Sequence, residues 1–494
     1  MSLRSSFTQI PGNWRLPLFM AEIRPVKKAS AGSYLAPAMI LAQKLPAAPA
    51  EVSTPYLVTS KGQAAALFGR GSPAHLMCVA FFAVNPTGEL WVAAQTDADG
   101  ATAATQTIVI TGPATAAGTL YLYVGAKLVQ VGVANADTAT TIGDAIAAAI
   151  NAVSDLPVTA ANVDGTVTLT CKVKGTVGNL VTLAHNATGL AAGEETPAGV
   201  TVTLGADTLA GGATDPAVAN WTASLGEEPW DHLALQFSDA SAVAELQATL
   251  QARWDASSAL DGQLYVAKAD SVADHIAWAA AVNSSVVSVA SYPENAGWLT
   301  PAYELAAVYM GLAALRLGID PAAPIHLRAL PGVWARGTNF TPSERNTLAN
   351  AGCATFFARG GAVYTEFEAT TRRTDAFGDE DLSYEVIQTP ATLSRVRRRF
   401  GADIQAAYPE HKLVDDGTSF GEGAKVVTPS IIKGFAISRY RAYERDGLVE
   451  KADVFAANLV VERDSENANR VNGYLPPDVA NQFRLFAGIL GFNP

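Results

Sequence analysis

The sequence predicts a multidomain chain of mixed class, α/β and α+β: an α/β core domain, a β-rich α+β domain inserted into it, and a C-terminal α+β domain. Three observations predict this. From about Trp230, strand-length apolar runs alternate with helix-length runs, the pattern of a largely parallel sheet with right-handed crossovers. Residues 97–210 carry no arginine or tryptophan, and Tyr121 and Tyr123 are their only aromatic residues, so their composition breaks from both flanks. At 494 residues the chain also exceeds what one core serves, domains being roughly 100–200 residues.

Residues 1–55 read as an extended arm. Pro11, Pro17, Pro25, Pro37, Pro46, Pro49 and Pro55 interrupt any helix, while Trp14, Leu16, Leu18 and Phe19 recur between them, so the arm needs a surface to lie on. Residues 56–96 read as the first part of the core domain. PYLVTS is a strand, GQAAALFG a helix, SPAHLMCVAFFAV a helix with Ser72 as cap and Pro73 in its first turn, and ELWVAA a strand.

Within the insertion, residues 97–210, TIVITG, TLYLYVG and KLVQVGV alternate as strands. TIGDAIAAAINAV is a helix capped by Thr140 or Thr141, and GTVTLTCKVKG with NLVTLAH resembles a hairpin. Three lysines against nine acids make its surface acidic and suited to solvent. The core resumes over 211–370: HLALQF, SAVAELQATLQARWDA with Ser238 available as cap, QLYVAKA, VADHIAWAAAV, SVVSVAS, PAYELAAVYMGLAALRLG, IHLRALPG, PSERNTLANAG and ATFFARGGAVYTEF. Residues 371–480 form the C-terminal domain, with a basic helix, a turn region and several strands. Residues 481–494 close the chain with NQFRLFAGILGF, a strand-like run after which nothing remains to pair with it, and a free apolar edge invites association.

With 49% hydrophobic and 16% charged residues the chain reads as folded and globular. A net charge of −12 opposes general nucleic-acid binding, which calls for a basic face. No uninterrupted apolar stretch reaches spanning length and the N-terminus shows no secretory apolar region, so the expectation is folding in the cytoplasm that makes it, without membrane insertion. Cys78, Cys171 and Cys353 are isolated and read as small buried hydrophobes.

Motifs of chemistry fare poorly. GTSFG, Gly417–Gly421, matches the nucleophile-elbow pattern, but DDG before it and EGAKVVTPS after it are turn and strand residues, so a hydrolase using Ser419 is the weaker alternative. FGRGSPAHL lacks both the third glycine of a dinucleotide loop and the Gly-Lys-Ser/Thr of a P-loop. The six histidines are scattered singly, and DAFGDEDLSYE lacks the ligand spacing of a calcium loop. No catalytic, cofactor or metal residue is assigned. SRVRRRF is the strongest charge feature: Arg395, Arg398 and Arg399 share one helix side, with Arg397 beside them. A solvated face, pairing with the acids before it, and docking to an acidic partner are its three readings.

Several segments in order resemble the Mu-like family of contractile-phage tail sheath proteins: LFGRGSPAHLMCVAFFAVNPTGELWVA, NTLANAGCATFFARGGAVYTEFEATTR, HKLVDDGTSFGEGAKVVTP and ANLVVERDSENANRVNGYLPPDVANQFRLFAGILGF. The resemblance implies a sheath-protein fold whose C-terminal domain is completed by strands from neighbouring subunits. It implies hexameric rings stacked helically around a tail tube, contracting without nucleotide hydrolysis to drive the tube through the host envelope. The partners implied are further copies of the chain, the tail tube protein, and baseplate and tail terminator proteins, in a virion tail assembled in the host cytoplasm. By this analogy Trp14, Leu16, Leu18 and Phe19 on one side, and Gln482, Phe483, Arg484, Leu485, Phe486, Ile489, Leu490 and Phe492 on the other, donate strands between subunits. The insertion would lie outermost. The family places a tube contact in the C-terminal domain; its assignment to Arg395, Arg397, Arg398 and Arg399 follows from their charge.

Overall fold

The computed structural model describes Met20 and residues 36–294, 297–335 and 339–492. Trp14, Leu16, Leu18 and Phe19 therefore lie outside the described residues. The run AMILAQ forms strand β1 (Ala38–Gln43), buried at every position, in the middle of the largest sheet. This corrects the boundary of the arm, which was expected to extend to residue 55. Pro37 and Pro46 bound the run without interrupting it, and a six-residue strand fits between them. Next come β2 (Pro55–Val58), α1 (Lys61–Phe68), α2 (Pro73–Val84) and β3 (Leu90–Gln95). Ser60 and Ser72 cap the two helices through their hydroxyls, and Pro73 opens the second.

The chain then leaves this sheet for β4 (Thr105–Thr111), β5 (Gly118–Val124), β6 (Lys127–Val133), α3 (Ala139–Ala152), β7 (Val158–Val163), β8 (Thr166–Cys171), β9 (Leu183–His185) and β10 (Thr201–Leu204). These form two antiparallel sheets, ordered β10-β4-β8-β7 and β6-β5-β9. Helix α3 covers them with Ile142, Ile146 and Ile150, one apolar stripe at four-residue spacing. Its cap is Thr138, not Thr140 or Thr141. The expected hairpin of residues 165–175 with 179–185 also gives way. β8 pairs with β7 across Asp164-Gly165, both at positive φ as a two-residue hairpin turn requires, while β9 pairs with β5.

The chain returns through α4 (Ala219–Ser224), β11 (His232–Leu235), α5 (Ala240–Arg253, capped by Asp239 rather than Ser238), β12 (Gln263–Asp270), α6 (Val272–Val282), β13 (Val287–Pro293), α7 (Ala302–Ile319), α8 (Pro342–Asn350), β14 (Ala354–Arg359) and β15 (Ala362–Phe367). The eight-stranded sheet runs β15-β14-β13-β12-β11-β1-β3-β2, parallel from β14 to β3 and antiparallel at both edge pairs. The segment IHLRALPG forms no strand of its own. It lies along β15 through the Leu327 N–H to Thr365 O bond (2.7 Å) and a single bridge from Ala329 to Tyr364. α7 is buried around most of its circumference, and its Tyr309 hydroxyl is 2.9 Å from that of Ser288 on β13.

The inserted sheets share one continuous apolar core with the eight-stranded sheet. Tyr123 stacks on Trp334 at 5.3 Å, and Gln43 Nε2 donates to Lys174 O at 2.9 Å. Beyond residue 370 come α9 (Gln388–Ala407), β16 (Lys412–Leu413), β17 (Val426–Val427), α10 (Pro429–Arg445), α11 (Ala452–Asn458), β18 (Val460–Arg463) and β19 (Val471–Tyr474). Among the described residues their strands make two-stranded pairs, β16-β17 and β18-β19. A second, small core forms around Phe400, Tyr440, Tyr443 and Phe455.

Candidate functional site

The arginines of α9 face the protein. Arg395 is buried and donates to the carbonyls of Leu317 and Gly318 (3.3 and 3.1 Å), the last acceptors of α7, where a cation also suits the helix dipole. Arg397 pairs with Asp261, both side chains almost wholly buried, and donates to Trp254 O at 2.9 Å. Arg398 pairs with Asp231 at 2.5 Å. Arg399 lies over the Tyr443 ring and pairs with Asp446 at 2.8 Å. Burial lowers Arg397 to about 10, aided by Arg398 and opposed by Asp255. It also raises Asp231 against the pull of Arg398 and Arg395.

These contacts correct the assignment of Arg395, Arg397 and Arg398 to a tube-facing surface, and they also displace the solvated-face reading. Desolvated guanidinium groups need partners, and theirs are internal. The partners are not the acids of DAFGDEDLSYE, which form a turn of their own: Asp375 accepts from the Phe377 and Asp379 amides, and Asp381 pairs with Arg372. The missed signal was positional. Asp231 lies one residue before β11 and Asp261 two before β12, and adjacent parallel strands bring their starts together at one end of the sheet.

Ser419 sits in an exposed turn between β16 and β17, with α10 beginning only at Pro429, so the strand–turn–helix setting of a nucleophile elbow is missing. The three cysteines are buried thiols. Among the described residues, no group of three or more His, Cys, Asp or Glu is placed to hold a metal ion.

The C-terminal segment has a different character. Gln482 Nε2 donates to Ala322 O at 3.1 Å. Arg484 pairs with the buried Glu368 at 2.7 Å and lies over the Phe367 ring at 4.7 Å. Between and beyond these two contacts the apolar side chains stand in solvent: Phe483 is 72% exposed, Phe486 82% and Ile489 101%, with Leu485, Leu490 and Phe492 alike. Among the described residues, 481–492 join no ladder. Six large hydrophobic groups on one unpaired segment mark an association surface, not a scatter of ordinary surface residues.

A folded body with an unfinished apolar extremity defines an assembly subunit. Comparison with known proteins agrees. The phage tail sheath protein central domain matches residues 211–371, and the phage tail sheath C-terminal domain matches residues 379–490. The chain is 34% identical, over 99% of its own length and 99% of the relative's, to the Mu-like prophage FluMu tail sheath protein of Haemophilus influenzae. The chain belongs to the phage tail sheath protein family. Similar solved structures are the sheath tail protein of Desulfitobacterium hafniense (12% identity, 91% of this chain and 94% of that one, TM-score 0.47) and the contracted helical sheath of the anti-feeding prophage (13%, 99% and 99%, TM-score 0.45).

Proposed function

We propose that this protein is the structural subunit of a contractile tail sheath, that it performs no catalysis, and that its copies are joined by exchange of backbone strands. One observation carries the reading: in a chain of the sheath family, residues 481–492 join no ladder among the described residues and hold six large apolar groups open to solvent. Burying each such group contributes about 1.5–3 kcal/mol. The segment of one copy adds to a sheet edge of the next, and β18-β19, two-stranded among the described residues with Val460 and Tyr474 exposed, is the candidate edge. Trp14, Leu16, Leu18 and Phe19 complete the same sheet from the other arm.

Rings of six copies stack around a tail tube between a baseplate and a terminator, assembling in the host cytoplasm into a virion tail. Contraction draws on new contacts between folded bodies while the exchanged strands hold, so it needs no nucleotide. The tube contact, a matter of weak and salt-sensitive charge, narrows to Arg399, whose side chain keeps 33% exposure.

Negative-stain electron microscopy of the purified protein tests the proposal. Rings or long sleeves are expected, and a single copy persisting at all concentrations overturns it. The Arg399→Glu variant is expected to form sleeves alone but to assemble poorly around added tubes. Normal assembly around tubes rejects the contact.

A further inference from the structure

We propose that Arg484 is the positioning residue of strand exchange: it pins the root of the C-terminal segment onto its own central sheet, so that only residues 485–492 cross to the neighbour. The inference rests on the exchange reading above and deepens it.

The pin is visible in the alternation of the segment. Gln482 and Arg484 turn inward while Phe483 and Leu485 turn outward, the two-residue period of extended chain. At Phe486 the inward position is exposed instead, and residues 487–492 are all exposed. The alternation ends where the pin ends.

Glu368 directly follows β15 and is 1% exposed. Gln388 Nε2 donates to its Oε2 at 3.2 Å, and the Arg484 guanidinium meets the same oxygen at 2.7 Å. Among the described residues no other cation pairs with Glu368. A carboxylate held out of water without a cation is costly, so the fold has a strong reason to keep Arg484 in place. The Gln482 bond to Ala322 O and the Phe367 face beneath the guanidinium add two further holds. The preceding attachment is the bridge from Val449 to Val479 on the small C-terminal body.

With the pin closed, a pull on the exchanged strand reaches the edge of the eight-stranded sheet at β15. With it open, residues 480–484 become slack and the pull falls on the β18-β19 region. Pinning also fixes the direction in which the strand leaves, which lowers the ordering cost of docking. Glu368 lies in the segment matched by the central-domain family model and Arg484 in that matched by the C-terminal model, so the pair also ties the two together.

The test separates the pin from the exchange. In unassembled full-length protein, Glu368→Gln keeps Arg484 as a trypsin site but removes its counter-charge. Cleavage after Arg484 is expected to quicken about tenfold, because proteolysis follows the population of the open form. The double variant Glu368→Gln/Arg484→Met removes both charges and leaves no orphan. It is expected to keep the wild-type melting temperature while needing about tenfold more protein to form sleeves, as lost preorganisation implies. Arg484→Lys should recover most of the wild-type assembly. Unchanged trypsin cleavage in Glu368→Gln overturns the pin. Faster cleavage with unchanged sleeve formation in the double variant overturns its positioning role. A chain ending at Arg484 that still forms sleeves overturns the exchange reading while leaving the cleavage result standing.

Discussion

The eight-stranded sheet and the C-terminal region solve the same problem in opposite ways. In the sheet, every strand from β14 to β3 has a partner on both sides, and β1, β11 and β13 are almost entirely buried. In the C-terminal region, among the described residues, the strands pair two by two, and residues 481–492 join no ladder and touch the body through Gln482 and Arg484. A two-stranded hairpin is marginal alone, and a long apolar edge is a template for another chain. The difference teaches where this protein keeps its own stability and where, on the exchange proposed above, stability comes from another copy.

The strongest way to break that comparison is at the unfinished end. Leu485→Asp with Leu490→Asp is expected to abolish sleeves seen by electron microscopy, yet to change unfolding free energy by no more than about 0.5 kcal/mol, as exposed substitutions do. A clear fall in the urea midpoint would mean the segment already completes its own fold. Next in size is the seam between the two regions. Arg397→Leu strands the buried Asp261 and should cost about 3–5 kcal/mol in urea denaturation.

A third test sharpens the junction between the central sheet and the inserted sheets. Glu304, in the first turn of α7, is raised to about 7 by burial, with Lys127 of β6 opposing. The folded protein therefore holds this proton while the unfolded chain has released it. Stability falls as pH rises from about 4.5 to about 7 and is level above. Glu304→Gln removes that slope and should be more stable than wild type at pH 8 by at most about 3 kcal/mol, since part of the residue's surface still reaches water. His75, lowered to about 4 mainly by burial, works the other way, losing stability as pH falls from about 6.5 to 4; the difference between variant and wild type isolates Glu304. The smallest effect belongs to the capping box of α8. Thr341→Ala should cost about 1 kcal/mol by thermal unfolding, within the complete region and without effect on assembly.

Local chemistry made much of the fold legible. Ser72 before Pro73 and the alternation after Trp230 each state their conformation through local preference alone. β1 was hidden because prolines on both flanks look the same whether they bound a strand or break an arm. The β8 pairing was hidden because any two amphipathic strands fit a hairpin until a third, here β4, competes for the edge.

By itself the sequence determined the class of fold, the family, and the concentration of large apolar groups in residues 481–492. These follow from composition, period and residue order. Only the tertiary structure decided which charges face inward. Arg395, Arg397 and Arg398 leave a solvated face, internal pairing and docking all open until Asp231, Asp261 and the last carbonyls of α7, all distant along the chain, are brought against them. Likewise, Gln482 and Arg484 looked no different from the residues around them until Ala322 and Glu368 took hold of them. The physical reason is that desolvation and pairing depend on what lies across space, and a charge on its own does not carry that information.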